Sequence, residues 1–211
     1  MSNGTFDFNA FIKESKDVLV NPKSYFSTMK TSGGMTEPLI KAVIYGAIAG
    51  AIAFLWSFLK IGVTGSMFAG ALGIMSFIWS IVGAIIGLFI GGVILLVISS
   101  ICKGNTDFEA NVRVTAAVMV VFPISAFLGF AGGINLYLGL IVSIAVTVFS
   151  LWLLYNGLIE ALKSRPETTK IVMYVLAAVF VLIMLVGLGA KRKTNQLMDE
   201  FNTPEMKELM K

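Results

Sequence analysis

Histidine is absent from the 211-residue chain, cysteine occurs once, and charged residues make up only 13% of it. Without histidine the chain lacks the commonest general base near neutral pH and the commonest zinc ligand. A lone Cys102 forms no internal disulfide and has no histidine to activate it. It reads as a small apolar filler at a helix end and leaves the redox compartment open. Charge is scarce against the roughly 25% of ordinary soluble domains, and 57% of the residues are hydrophobic. A chain of this length cannot bury that much apolar surface within itself, so lipid must cover part of it. No residue spacing suits a metal, and the acids stand in loops or at helix ends rather than in a buried site. The expectation is a non-enzymatic protein with no cofactor. Its eleven methionines are packing residues.

What is present is long uncharged sequence. A spanning helix needs about 20 apolar residues, and the charges leave uncharged stretches at 42–59, 61–102, 114–159 and 171–190. The first and last each fit one helix. The third holds two, divided by the turn signal "AGGIN" at 131–135. The second is too long for one span and barely long enough for two. Its glycine-rich beginning, "IGVTGSMFAGALG" (61–73), is a poor helix former and reads as a loop or short interfacial turn before one helix. The expected fold class is therefore all-α: a polytopic membrane helical bundle of five transmembrane helices, with N-terminal amphipathic interfacial helices. Residues 1–38 form the interfacial segment and 39–190 the membrane domain, with spans near 39–59, 74–101, 113–130, 135–161 and 170–190. Residues 191–211 form a polar tail. No cleavable signal peptide is recognisable, because residues 1–38 mix lysines with acids and hold no unbroken apolar run.

The basic residues flank the apolar runs and form no stripe, so the net charge of +4 speaks for membrane orientation and against nucleic acid. Charge alone does not choose between five and six spans. Both place ten basic residues inside and six outside when the N-terminus is cytoplasmic. Geometry favours five, since six would leave Lys60 as nearly the whole of a hairpin. The "AKRK" after the last span argues the other way.

Ahead of the first span, Phe8, Phe11, Ile12, Val18 and Leu19 share one helical face. In "NPKSYF", Asn21 can cap a second helix with Pro22 at its first position. Either the two helices simply pack beneath the bundle, or they form a platform for lipid or a partner. The tail repeats the device at Thr203 and Pro204.

The run "FIKESKDVLVNPKSYFSTM", then a "GG" stretch and "EPLIKAVIYGAIAGAI", resembles the opening of the Yip domain family of Ypt-interacting, five-span membrane proteins. The likeness continues through "CKGNTDFEANVRVTAAVMVVFPI", with Gly104, Phe108 and Pro123 placed as in the family, and "WLLYNGLIEALK". It covers about residues 6–190. The resemblance implies five helices and a cytosolic N-terminal face. Eukaryotic relatives act in vesicle trafficking and contact Rab-type GTPases through long N-terminal regions with acidic, proline-containing motifs. No such motif stands in this chain, so Rab binding does not carry over, and the short form is similar to the prokaryotic branch.

Two groups of residues stand out. Asn156 and Glu160 lie one helical turn apart near the inner end of the fourth span, while Lys41 and Arg113 begin the first and third spans at similar depth. Ionisable residues at a membrane boundary are binding-site candidates, so these four are expected to form a polar cluster at the inner mouth; the alternative is an ion pair that fixes helix register. In "GAIIGLFIGG", Gly83, Gly87 and Gly91 recur at helical spacing without the nearby lysine of a phosphate loop. They read as a helix-packing groove, with Gly46 and Gly50 as a mate within the chain or across a dimer. Ser143, Thr147 and Ser150 could line a polar path or join helices.

The function expected from this reading is a Yip-type scaffold or adaptor in membrane organisation or trafficking. Its partners would be membrane lipids, a cytosolic protein and a second copy of the chain, without nucleic acid. The alternative is a transporter or channel for a small solute, an ion or lipid. The expected location is the cytoplasmic (inner) membrane of a prokaryote, with the N-terminus in the cytoplasm.

Overall fold

The computed structural model describes residues 7–59 and 69–201. Two short helices come first, α1 (Phe8–Val20) and α2 (Pro22–Thr28). Asp7 caps α1 by accepting from the Asn9 and Ala10 amides at 2.9 and 3.1 Å. Asn21 ends α1 and caps α2 through the Ser24 amide, with Pro22 at the first helical position, where its missing N–H costs nothing. α1 buries Phe11 and Val18. Phe11 lies 5.2 Å from the Tyr45 ring, and Ser15 Oγ stands 2.8 Å from Tyr45 Oη. α2 buries Phe26 completely.

Among the described residues, five helical stretches are long and apolar enough to cross a membrane: Thr36–Phe58, Ile74–Ile101, Phe108–Ile134, Leu136–Ala161 and Pro166–Met184. The first is α3 (Thr36–Phe58) and the second lies in α4 (Ala69–Ile101). Of the glycine-rich stretch expected to be a loop, 69–73 belong to α4, and 60–68 fall outside the described residues. Glycine's low helix propensity is measured in water, where an open backbone finds other partners. Once α4 is formed over Ile74–Ile101, each further residue adds one hydrogen bond at its end, and that propagation overrides propensity.

The third span is built from α5 (Phe108–Val118), α6 (Val121–Leu128) and α7 (Phe130–Ile134). Pro123 has no N–H to donate to the Met119 carbonyl one turn back. The chain breaks at that turn, and Phe122 N bonds the Met119 carbonyl instead at 2.9 Å. The turn after it is narrower than "AGGIN" led one to expect. Gly132 and Gly133 stay helical, and Asn135 alone is extended, with its side chain capping α8 (Leu136–Asn156) through the Tyr137 and Leu138 amides. Gly139 serves the hairpin by letting α8 approach α7, since a Cβ there would crowd the Gly132 backbone, whereas one on Gly132 would make only ordinary contact.

α8 widens into a π-turn at Gly157–Ala161, and α9 (Pro166–Phe201) follows. Residues 191–201, read as tail, continue the α9 helix; the cap proposed at Thr203 lies outside the described residues. The chain divides into two compact units, 1–173 and 174–211. Within the second, the described residues are the remainder of α9.

In the first unit α3 and α4 meet closely. A Cβ on Gly46 would lie 2.7 Å from Ala84 Cβ, and one on Gly50 would lie 3.0 Å from Ser80 Cβ. With no side chain over it, the Gly46 carbonyl accepts from Ser80 Oγ at 2.9 Å. The glycines of α4 do not supply the other half of this seam. Gly83 and Gly87 have open space where a Cβ would be, and Gly91 and Gly92 face Thr115 and Val112 of α5. α4 therefore offers Ser80 and Ala84 to α3, and Gly91 and Gly92 to α5. At the far end of α3, Trp56 Nε1 donates to the Ala126 and Phe127 carbonyls and stacks among Phe127 and Phe130.

Candidate functional site

The end of the bundle that carries α1 and α2 is the polar one. "EPLIK" at the start of α3 and "EANVR" at the start of α5 each place a carboxylate one turn before a cation. Glu37 and Glu109 sit in the first turns of their helices, where the helix dipole favours negative charge. The two pairs are joined. Lys41 Nζ lies 2.7 Å from Glu37 Oε1 and 2.7 Å from Glu14 Oε2 on α1. Arg113 Nη1 reaches Glu37 Oε2 at 2.9 Å, and its Nε reaches Glu109 Oε1 at 2.9 Å. Glu37 thus bridges both cations.

The turn before α3 completes the arrangement. Arg113 Nη2 donates to the Gly34 carbonyl at 2.8 Å, and the Gly34 amide donates to Glu109 Oε1 at 2.6 Å. Gly33 and Gly34 hold φ of +135° and +94°, a region open to glycine and strained for other residues. A Cβ on Gly33 would also crowd Arg113 at 3.0 Å. Both cations are buried, while Glu14 and Glu37 remain partly open to solvent. The network ties α1, the 33–34 turn, α3 and α5 into one unit.

Above it, α1, α2 and the heads of α3 and α5 enclose an open cleft of about 470 Å³. Lys13, Lys30 and Arg113 line it, as do Glu14, Asp17 and Glu37. Tyr25 forms part of the wall, and burial pushes its phenol up to about 12, against the opposing pull of the Lys41 ammonium. At neutral pH this hydroxyl keeps its proton and can donate.

The four residues expected to cluster fall into two groups. Lys41 and Arg113 meet through Glu37. Asn156 is buried and donates to the Trp152 carbonyl at 2.7 Å within its own helix. Glu160 sits in the π-turn and faces Lys23 of α2 at 3.9 Å. Among the described residues no hydrogen bond or ion pair connects this second group to the first. The π-turn lies against Phe26 and Val114, and a Cβ on Gly157 would lie 2.6 Å from Val114 Cγ1. Reading the sequence alone overlooked Glu14, Glu37 and Glu109. The repeated acid-to-base spacing of four at the start of two spans was the available signal for the last two.

A second polar arrangement joins the loops after α4 and after the π-turn. Asn105 N donates to the Leu162 carbonyl at 2.7 Å, and Arg165 N donates to the Cys102 carbonyl at 2.9 Å. The two loops clasp reciprocally, each with a lysine, Lys103 or Lys163, in the left-handed region. A Cβ on Gly104 would crowd the Ser164 and Ser99 hydroxyls and lie 2.9 Å from the Leu162 backbone carbonyl that the clasp uses, so the clasp favours glycine there. On α8, Thr147 and Ser150 donate to the Ser143 and Val146 carbonyls one turn back.

Five helical stretches long and apolar enough to cross a membrane, a small-residue seam between α3 and α4, and amphipathic helices fastened across one polar end define a polytopic helical integral membrane protein. The chain belongs to the Yip1 domain family, whose model matches residues 16–190. Neither the curated proteins nor the solved structures compared with it gave a match.

Proposed function

We propose that the protein is a non-enzymatic Yip-type scaffold or adaptor in a prokaryotic cytoplasmic membrane, presenting α1, α2 and the clasped loops to a cytosolic protein partner. The observation that carries this reading is the anchoring of α1. Glu14 is bound to the buried Lys41, so α1 is held against the bundle while Phe8 and Ile12, 59% and 51% exposed, point away from it. A helix fixed in place with an apolar face left open loses little entropy on binding a partner. Lys41, Arg113, Glu37 and Glu109 are engaged with one another, as suits a rigid platform more than proton-transfer chemistry. The transport alternative has less behind it, since the α8 hydroxyls bond their own helix.

Photocrosslinking from position 8 or 12 in intact cells tests the reading. A discrete protein adduct that disappears with Phe8→Asp plus Ile12→Asp, in a chain that still folds, is the expected result. Adducts to lipid alone would overturn it. Flux through proteoliposomes that vanishes with Glu160→Gln would favour transport.

A further inference from the structure

The cleft over the ion network carries charge in an unusual balance. Three cationic side chains, Lys13, Lys30 and Arg113, face three anionic ones, Glu14, Asp17 and Glu37. A simple anion or cation gains no net field from such a wall, whereas a ligand bearing both charges can satisfy both sets. The groups are not equally available. Arg113 and Glu37 are committed to the network below, with both Glu37 oxygens and all three Arg113 nitrogens engaged. Glu14 uses one oxygen on Lys41. Lys13, Asp17 and Lys30 line the same cleft and, among the described residues, enter no ion pair. Two free cations and one and a half free carboxylates thus face a cavity within the ~300–1,000 Å³ range of small-ligand sites.

We propose that this cleft holds the headgroup of a zwitterionic phospholipid with a primary amine, a lipid of the phosphatidylethanolamine type. Lys13 and Lys30 take the phosphodiester, and Asp17 with the open oxygen of Glu14 takes the ammonium. A primary ammonium has three N–H donors for those carboxylates. A choline headgroup has none and is held by aromatic cages; Tyr25 is the one aromatic side chain lining this cleft. An anionic headgroup would leave the carboxylates facing a negative charge. A membrane source fits the position, because the cleft sits where the spanning helices α3 and α5 begin. The proposal goes beyond the adaptor reading and stands without it.

The test reconstitutes the full chain in nanodiscs of equal parts phosphatidylethanolamine, phosphatidylcholine and phosphatidylglycerol, and identifies the lipid retained on detergent release by native mass spectrometry. The expected result is one retained phosphatidylethanolamine, enriched about tenfold over either competitor, equivalent to about 1.4 kcal/mol. The variant Asp17→Asn with Lys30→Gln should return the retained lipid to the bulk ratio. Lys16→Gln, on the same helix but outside the cleft, should keep the enrichment. Neither Asp17 nor Lys30 belongs to the ion network, and a thermal melt of each variant reports that the fold survives. Retention at the bulk ratio in the unmodified chain, or enrichment unchanged in the double variant, overturns the proposal. Displacement of the lipid by millimolar soluble glycerophosphoethanolamine would reassign the site to a free phosphoester and overturn the lipid source.

Discussion

The ion network is asymmetric, and that asymmetry has a measurable consequence. The Lys41 side chain is 9% exposed, whereas its partners Glu14 and Glu37 are 40% and 43% exposed. Each 2.7 Å contact represents roughly 6 kcal/mol of attraction at an effective dielectric of about 20, most of it offset by stripping water from the ions. The two ways of breaking the contacts differ in what they strand. Lys41→Met removes the buried charge and leaves two carboxylates that water already reaches, one of them still paired with Arg113. The cost should be about 1 kcal/mol. Glu14→Gln with Glu37→Gln leaves the ammonium buried with no anion, and loss of a partner from a buried pair costs roughly 3–5 kcal/mol. Lysine's flexible stem lets the ammonium move toward water, so the lower end, about 3 kcal/mol, is expected. Equilibrium unfolding by SDS titration in mixed micelles measures both variants. If Lys41→Met is the more damaging of the two, the attribution of the cost to a stranded buried cation is wrong.

The α3–α4 seam makes a second contrast: Gly46→Ala should cost roughly 1–3 kcal/mol because its methyl meets Ala84 and the Ser80 backbone. Gly83→Ala and Gly87→Ala, with open space at the new methyl, should be neutral or stabilising by up to about 1 kcal/mol, read in the same titration. Burial raises the Tyr25 phenol from the usual value near 10 to about 12, so between those pH values the unfolded chain releases this proton first and stability falls as pH rises. Tyr25→Phe should flatten that part of the stability profile, and the 295 nm difference spectrum should lose one late-titrating tyrosine. Glu160 faces a well-exposed Lys23 at 3.9 Å, so Glu160→Gln should change stability by no more than about 0.5 kcal/mol.

The sequence by itself determined the class of the protein and favoured five spans over six. Continuous apolar length is a local property, and lipid leaves a chain of that composition little choice but helices. The cap at Asn21 was legible for the same reason, since it acts on its own turn of backbone. Local rules misread residues 69–73, where continuation of an existing helix outweighs glycine's propensity, and they spread over five residues a turn that Asn135 makes alone.

Pairing was decided only by the tertiary structure. Glycine spacing announces that some helix comes close but not which one. Gly46 and Gly50 meet Ser80 and Ala84 because the rotation of α4 about its axis turns Gly83 and Gly87 outward. The candidate site followed the same logic. Lys41 and Arg113 were visible as charges at span ends, yet their common partner Glu37 and the reach of Glu14 from α1 depend on how three helices come together. Asn156 and Glu160 lie at similar depth but turn toward their own helix and α2. Depth in the membrane follows from position along a span, but which face meets which neighbour depends on side chains far apart in the chain.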